Sequence, residues 1–286
     1  MRWNAKLNLG VALHYVLRLY DTSEDALSVQ GATDPNVGVY HADASFQNAN
    51  LVALLGAKYR LTDEWLFGAA LGLPGIPVHS AGKVSVQDVT ATPSAPPGQR
   101  TVATSVTTTD VHSRTYVPAL LRLGFTRIEA HRWTLAAQIT GHLGTSYDRF
   151  SVAPAIEQRL RVQDHVERTP VVDVNLGGEY LVNADYSVAL GLFTDRSAAP
   201  GLQVDDAGNL LPGTSRQPRV SIYGGTATVG LLGNHAISRL GVAAAYGSGQ
   251  DAVPNDPTGI VDPIGFRVAP VHQLFLYVFL ASTFRY

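Results

Sequence analysis

From Trp3 to Leu19 every second residue is apolar. Trp3, Ala5, Leu7, Leu9, Val11, Leu13, Tyr15, Leu17 and Leu19 alternate with Asn4, Lys6, Asn8, Gly10, Ala12, His14, Val16 and Arg18. Side chains along a strand point to opposite faces in turn, so this segment is predicted to be a strand with one apolar face and one polar or small face. It is far longer than the typical globular strand of about 5–6 residues. A tilted strand crossing a bilayer needs about 9–11 residues and often runs past it.

The alternation recurs along the chain. Further stripes are Leu51 to Tyr59, Trp65 to Leu73, Val117 to Phe125, Trp133 to Ile139, Val172 to Tyr180, Tyr186 to Leu192, Leu240 to Tyr246, and Leu274 to Tyr286. Residues 220–232 form one more strand, rich in Gly and Thr, whose facing is ambiguous. Ten strands result. None of the nine assigned stripes contains a charge; Lys6, Arg18, Lys58, Arg60, Arg122, Asp173, Glu179, Arg239 and Arg285 fall on the opposite face. A cation facing lipid at mid-bilayer costs roughly 2–4 kcal/mol, which explains the exclusion. A soluble barrel would instead put a charge-rich face in water, and the second face here is sparsely charged.

The connections alternate between short and long. Residues 62–64, 128–132, 183–185 and 233–235 are short turns; residues 21–45, 74–112, 146–165, 195–217 and 248–269 are long loops. Short turns on one side and long loops on the other mark an outer-membrane barrel with periplasmic turns and extracellular loops. An even strand count puts both ends on the short-turn side. Trp3, Trp65, Trp133 and Tyr186 open strands at that rim, and Tyr59, Phe125, Tyr180 and Phe284 close them, as an interfacial girdle would. The reading is therefore all-β: a transmembrane antiparallel up-and-down β-barrel, one domain over residues 1–286, in the outer membrane of a Gram-negative bacterium. Its first partner is outer-membrane lipid.

Composition narrows this further. Charged residues make up 15% and the net charge is −2, which argues against nucleic-acid binding. No apolar run approaches the ~18 residues of a spanning helix. There is no cysteine. Met1-Arg2-Trp3-Asn4 carries no apolar leader core, so the expectation is a piece of a longer protein.

The long loops carry little chemistry. Residues 21–30 are expected to form a short helix capped near Thr22 or Ser23. Within 74–112 a hairpin is expected, Lys83 to Val89 against Thr101 to Thr109, with its tip at residues 93–98. His142 beside Ser146 hints at a lipid hydrolase, but spacing places no acid with them. No catalytic residue, metal site or cofactor is expected.

The polar face holds the candidate site. Lys58, Arg60, Glu179 and Arg239 form a lumenal charge network, with pairing expected because unpaired charge in a low dielectric is costly. Arg122 shares that face. The alternative is a cationic path for an anionic headgroup, which His14 and Arg18, placed higher, would meet first. The last strand turns Phe275, Tyr277 and Phe279 inward, suiting either a plugged core or an apolar ligand groove rather than an aqueous pore.

Several short motifs resemble the FadL/TodX family of outer-membrane long-chain fatty acid and hydrocarbon transporters. They are Tyr116-Val117-Pro118-Ala119-Leu120-Leu121-Arg122-Leu123-Gly124-Phe125, Leu176-Gly177-Gly178-Glu179-Tyr180, and residues 188–200 with Thr194-Asp195-Arg196-Ser197. The similarity covers residues 50–200 and loosely the rest. It implies a barrel plugged by an N-terminal hatch and uptake of hydrophobic molecules, passed laterally or inward. The family barrel has fourteen strands; this chain shows ten and no hatch, as the C-terminal part of a larger barrel would. Terminal Tyr286, after alternating apolar residues, resembles the signal read by the barrel assembly machinery. The function expected is passive outer-membrane transport of a hydrophobic small molecule. The alternative is a non-transporting barrel that presents surface loops for adhesion.

Overall fold

A computed structural model describes residues 6–30, 36–98, 100–109, 111–130, 132–150, 165–211, 214–233, 236–255 and 265–284. Trp3, Arg285 and Tyr286 lie outside the described residues. The strands are β1 (Leu7–Gln30), β2 (Asn36–Arg60), β3 (Trp65–Gly72), β4 (Ile76–Ala91), β5 (Thr101–Thr109), β6 (Leu120–Glu129) and β7 (Trp133–His142). They continue as β8 (Thr145–Asp148), β9 (His165–Arg168), β10 (Val171–Leu181), β11 (Tyr186–Asp195), β12 (Arg219–Leu232), β13 (Ala236–Pro254) and β14 (Phe266–Phe284).

Ten of these form one antiparallel meander in the order β1-β2-β3-β6-β7-β10-β11-β12-β13-β14. β4 and β5 extend the same sheet beside the upper half of β2, and β8 pairs with β9 as a separate ribbon. Among the described residues β1 pairs only with β2 and β14 only with β13, so the sheet is open there.

Register is what gives the sheet two unlike faces, because side chains keep a period of two across every pairing. One row runs Leu7, Tyr59, Phe67, Phe125, Ala137, Leu176, Leu192, Gly225, Ala244, Leu276. The adjacent row on the other face runs Asn8, Lys58, Gly68, Gly124, Gln138, Asn175, Phe193, Gly224, Ala245, Phe275. The first face is apolar yet uncovered: Leu274, Leu276, Val278 and Leu280 are 72% to 80% exposed. The ambiguous strand resolves too. In β12, Tyr223, Val229 and Leu231 join the apolar face, while Thr226, Thr228 and Gly230 turn to the mixed face.

The rim on the short-turn side is built as expected. Trp65, Trp133 and Tyr186 are the first residues of β3, β7 and β11. Thr62 Oγ1 accepts hydrogen bonds from the backbone N–H of Glu64 and Trp65, and Asn183 Oδ1 does the same for Asp185 and Tyr186. These are side-chain-closed turns, in which a Thr or Asn oxygen replaces a backbone acceptor.

Three expectations change. Residues 21–30 are strand, not helix: β1 stays paired with β2 from Asp21–Ser45 to Gln30–Asn36. It runs there beside a core built on its neighbour β2. On β2 and β4, Tyr40, Ala42, Ala44, Phe46, Val84 and Val86 are buried with Val111 and Phe150, and Phe46 stacks on Phe150 at 4.9 Å. A β1 of 24 residues spans roughly 80 Å at about 3.3 Å per residue, far more than a ~30 Å hydrocarbon layer. Its upper half therefore belongs to a blade beyond the membrane, with a core of its own. Likewise β13 and β14 reach well into 248–269, where a loop was expected. Finally, the apolar face is not wholly uncharged. Continuing the β6 stripe two residues past Phe125 brings Arg127 onto it, in a row with Trp65, Leu135, Gly178 and Leu190.

Candidate functional site

The mixed face carries three zones. Near the short-turn rim, Arg239 Nη2 donates to both carboxylate oxygens of Glu179, at 2.9 and 3.2 Å, and Ser187 Oγ donates to Glu179 at 2.7 Å. Arg239 reaches its partner past Gly230, which lies between Arg239 and Ser187 in the register. A β-carbon at Gly230 would collide with Ser187 Oγ, so the cluster requires glycine there.

The expected charge network contracts to this pair. Arg60 reaches Asp63 in the adjoining turn at 4.0 Å, and both side chains are largely in water. Lys58 instead lines a hollow of about 410 Å³ with Arg122, Asn8 and Gln138, floored by Gly10, Gly56, Gly68 and Gly124. A second hollow of about 480 Å³ adjoins it, along Lys58, Gln138 and Asn175. Among the described ion pairs none includes Lys58 or Arg122. Two cations and two amides facing one small-floored hollow make a site for an anionic oxygen group.

The third zone is aromatic. Phe275 and Tyr277 stack at 6.3 Å with planes 7° apart. Phe279 lies over Gly241, where a β-carbon would meet its Cζ at 2.5 Å, and the Phe193 ring lies over Gly224 in the same way. Rings laid on glycines line the face instead of filling it, and they shield backbone that glycine leaves bare. Sequence reading found the three β14 aromatics but missed Phe193, Gln138 and Asn8, whose roles appear only once the register is known.

The expected residues share a face but not a single pocket. Lys58 and Arg122 sit toward the β1 side of the sheet, and Phe275, Tyr277 and Phe279 on β14 at the other edge. His14 and Arg18 lie on β1, opposite Val52 and Asn48, and both are exposed. A further hollow, about 670 Å³, is on the apolar face instead, a dip over Gly178, Gly191 and Ala227 between Phe125, Leu176 and Leu192.

Ser146 does not pair with His142. His142 stands between Leu120 and Val171 in the main sheet. Ser146 Oγ is 3.2 Å from His165 Nε2, and His165 Nδ1 is 2.8 Å from Asp148 Oδ1, on the outward face of the β8–β9 ribbon. This order of groups occurs in hydrolases, but His165 and Asp148 are 49% and 70% exposed. In open water such a relay lacks the dry, preorganised surroundings that give it catalytic force, and it reads as a polar surface ladder.

No protein-family profile and no curated protein matches this sequence. Solved structures do. A CymD monoaromatic hydrocarbon channel superposes with a TM-score of 0.54 at 10% identity, covering 99% of this chain and 70% of that one. The P. putida toluene transporter TodX gives 0.55 at 15% identity, covering 99% of this chain and 67% of that one. At such identities the likeness is one of fold. It supports the ten-strand meander as the wall of a β-barrel.

Proposed function

We propose that this chain is an outer-membrane β-barrel domain through which hydrophobic small molecules, such as long-chain fatty acids or aromatic hydrocarbons, diffuse passively. The observation that carries the reading is the mixed face itself. It joins an aromatic lining to a hollow bearing Lys58 and Arg122 without carboxylate partners among the described residues. An apolar molecule is held by the rings, and a carboxylate, where it has one, by the cations. The shared fold with two hydrocarbon channels supports it.

In this reading Phe275, Tyr277 and Phe279 line the path, Arg122 meets an anionic head, and His14 and Arg18 meet it earlier. Glu179 and Arg239 hold the wall. Membrane lipid surrounds the apolar face, and Tyr286 serves as the address for barrel assembly. A second reading, display of a surface structure, draws on the blade formed by β1, β2, β4 and β5 with its separate core.

Uptake decides between them. Cells that carry or lack the protein are given labelled fatty acid and labelled toluene, and a Phe279→Arg variant is tested alongside. Transport predicts that uptake falls when the protein is lost and falls again with Phe279→Arg at unchanged surface abundance. Uptake indifferent to both changes leaves surface display.

A further inference from the structure

Arg127 is a cation on the otherwise apolar face, with Glu129 two residues on at the end of β6, and the fold has prepared its surroundings. Trp65 on β3 and Trp133 on β7 stand on either side of it, with ring centres 5.3 and 5.0 Å from the guanidinium carbon. Phe125 braces Trp65 at 6.2 Å, and Thr62 fixes its backbone. Such aromatic contacts stabilise the charge through the ring faces but supply no acceptor to the N–H groups in the guanidinium plane. Nε is sealed from water and has no hydrogen-bond partner among the described residues. The nearest acid along the strand, Glu129, is engaged by Arg132 at 3.5 Å.

None of the described residues supplies that acceptor; Nε is closed off, but Arg127 as a whole is only half-buried, so a group from outside the chain would approach at the two Nη nitrogens. Arg127 lies two residues from the end of β6, level with the first residue of β3, at the short-turn rim. In a bilayer that depth is the headgroup boundary, where aromatic residues concentrate and a cation costs little. The anion available there is a phosphodiester. Guanidinium matches phosphate by two parallel in-plane N–H bonds, a geometry that an ammonium cannot reproduce.

We propose that Arg127, held between Trp65 and Trp133, binds the phosphodiester of a membrane phospholipid in the leaflet on the short-turn side. The site rests on the lipid-facing reading of the apolar face and gives that face a specific ligand. It is separate from the interior path, so lipid binding and uptake are independent readouts.

The test uses the full protein in detergent with added phosphatidylglycerol or, as the phosphate-free counterpart, diacylglycerol, and counts retained lipid by native mass spectrometry. Wild type is expected to retain phosphatidylglycerol preferentially. Arg127→Ala, Arg127→Gln and Arg127→Lys are each expected to lose about tenfold in retention, the scale of a charge-assisted bidentate bond. Arg60→Ala, which removes another rim cation and leaves the Glu129–Arg132 pair intact, should retain lipid as wild type does. Equal retention of the two lipids by wild type, or wild-type retention by Arg127→Gln and Arg127→Lys, overturns the proposal. Quenching of tryptophan fluorescence by lipids brominated on the acyl chain separates the two levels. Quenching in wild type and variants alike leaves the lipid-facing reading standing whatever the retention shows. Absence of quenching throughout overturns that reading and the site together.

Discussion

Leu121 and Arg122 are adjacent in β6, one on the apolar row beside Leu71, the other on the mixed row beside Ala70. Replacing Leu121 or Leu9 with Arg puts an unpaired cation into hydrocarbon at about 2–4 kcal/mol. We predict that each change prevents membrane assembly, whereas Asn8→Arg, on the mixed face, is tolerated; the fraction recovered folded from membranes reads the difference. Arg127 marks the tolerated exception, because it stands at the rim between two indoles. The Glu179–Arg239 pair invites a second test. Its side chains are 28% and 36% exposed, so the interaction is partly screened. A double-mutant cycle with Glu179→Gln and Arg239→Gln should give a coupling of about 1–2 kcal/mol by urea titration in vesicles. Zero coupling would mean that Glu179 is held by Ser187 alone.

At the scale of elements, the blade is where charge and pH matter. His41 Nδ1 lies 2.6 Å from Asp25 Oδ1 and Nε2 lies 2.7 Å from Asp43 Oδ2. The hydrogen bond that His41 donates to Asp25, then that to Asp43, raises the His41 pKa above its ordinary 6.5, while Ser23 chiefly lowers that of Asp43. A raised histidine pKa means that the folded hairpin holds the proton more tightly than the unfolded chain. The stabilisation is complete below about pH 6.5 and is lost as pH rises through the raised value. Amide exchange over residues 21–46 should therefore accelerate between pH 6 and 9 beyond its intrinsic rise, and His41→Asn should abolish the excess. The ten spanning strands were legible in sequence because hydrocarbon demands an unbroken apolar row, and the hairpin of β4 and β5 because its tip residues announce it. The upper half of β1 was not legible. Beyond the bilayer no medium enforces the alternation, and Asp21 to Asp25 are held as strand by pairing with β2, whose own core residues pack with those of β4. The relay of Ser146 and His165 was hidden likewise, its partners being set by the pairing of β8 with β9.

At the scale of the whole molecule, what makes the sheet a barrel wall is that two sets of alternating residues meet different media. The aromatic and cationic zones were legible as types. Their separation across the sheet was not, because it depends on strand order and on how glycines such as Gly241 let rings lie flat. The sequence contains no cysteine, so single cysteines can carry a spin label without background. The most direct test is a cysteine scan of β10 from Val172 to Gly177 in lipid bilayers, reading relaxation by oxygen, which partitions into hydrocarbon, and by a water-soluble nickel chelate. The account predicts strong oxygen relaxation at Val172, Val174 and Leu176, and a low oxygen response at Asp173, Asn175 and Gly177. The reverse phase, or oxygen relaxation without a period of two, would contradict it.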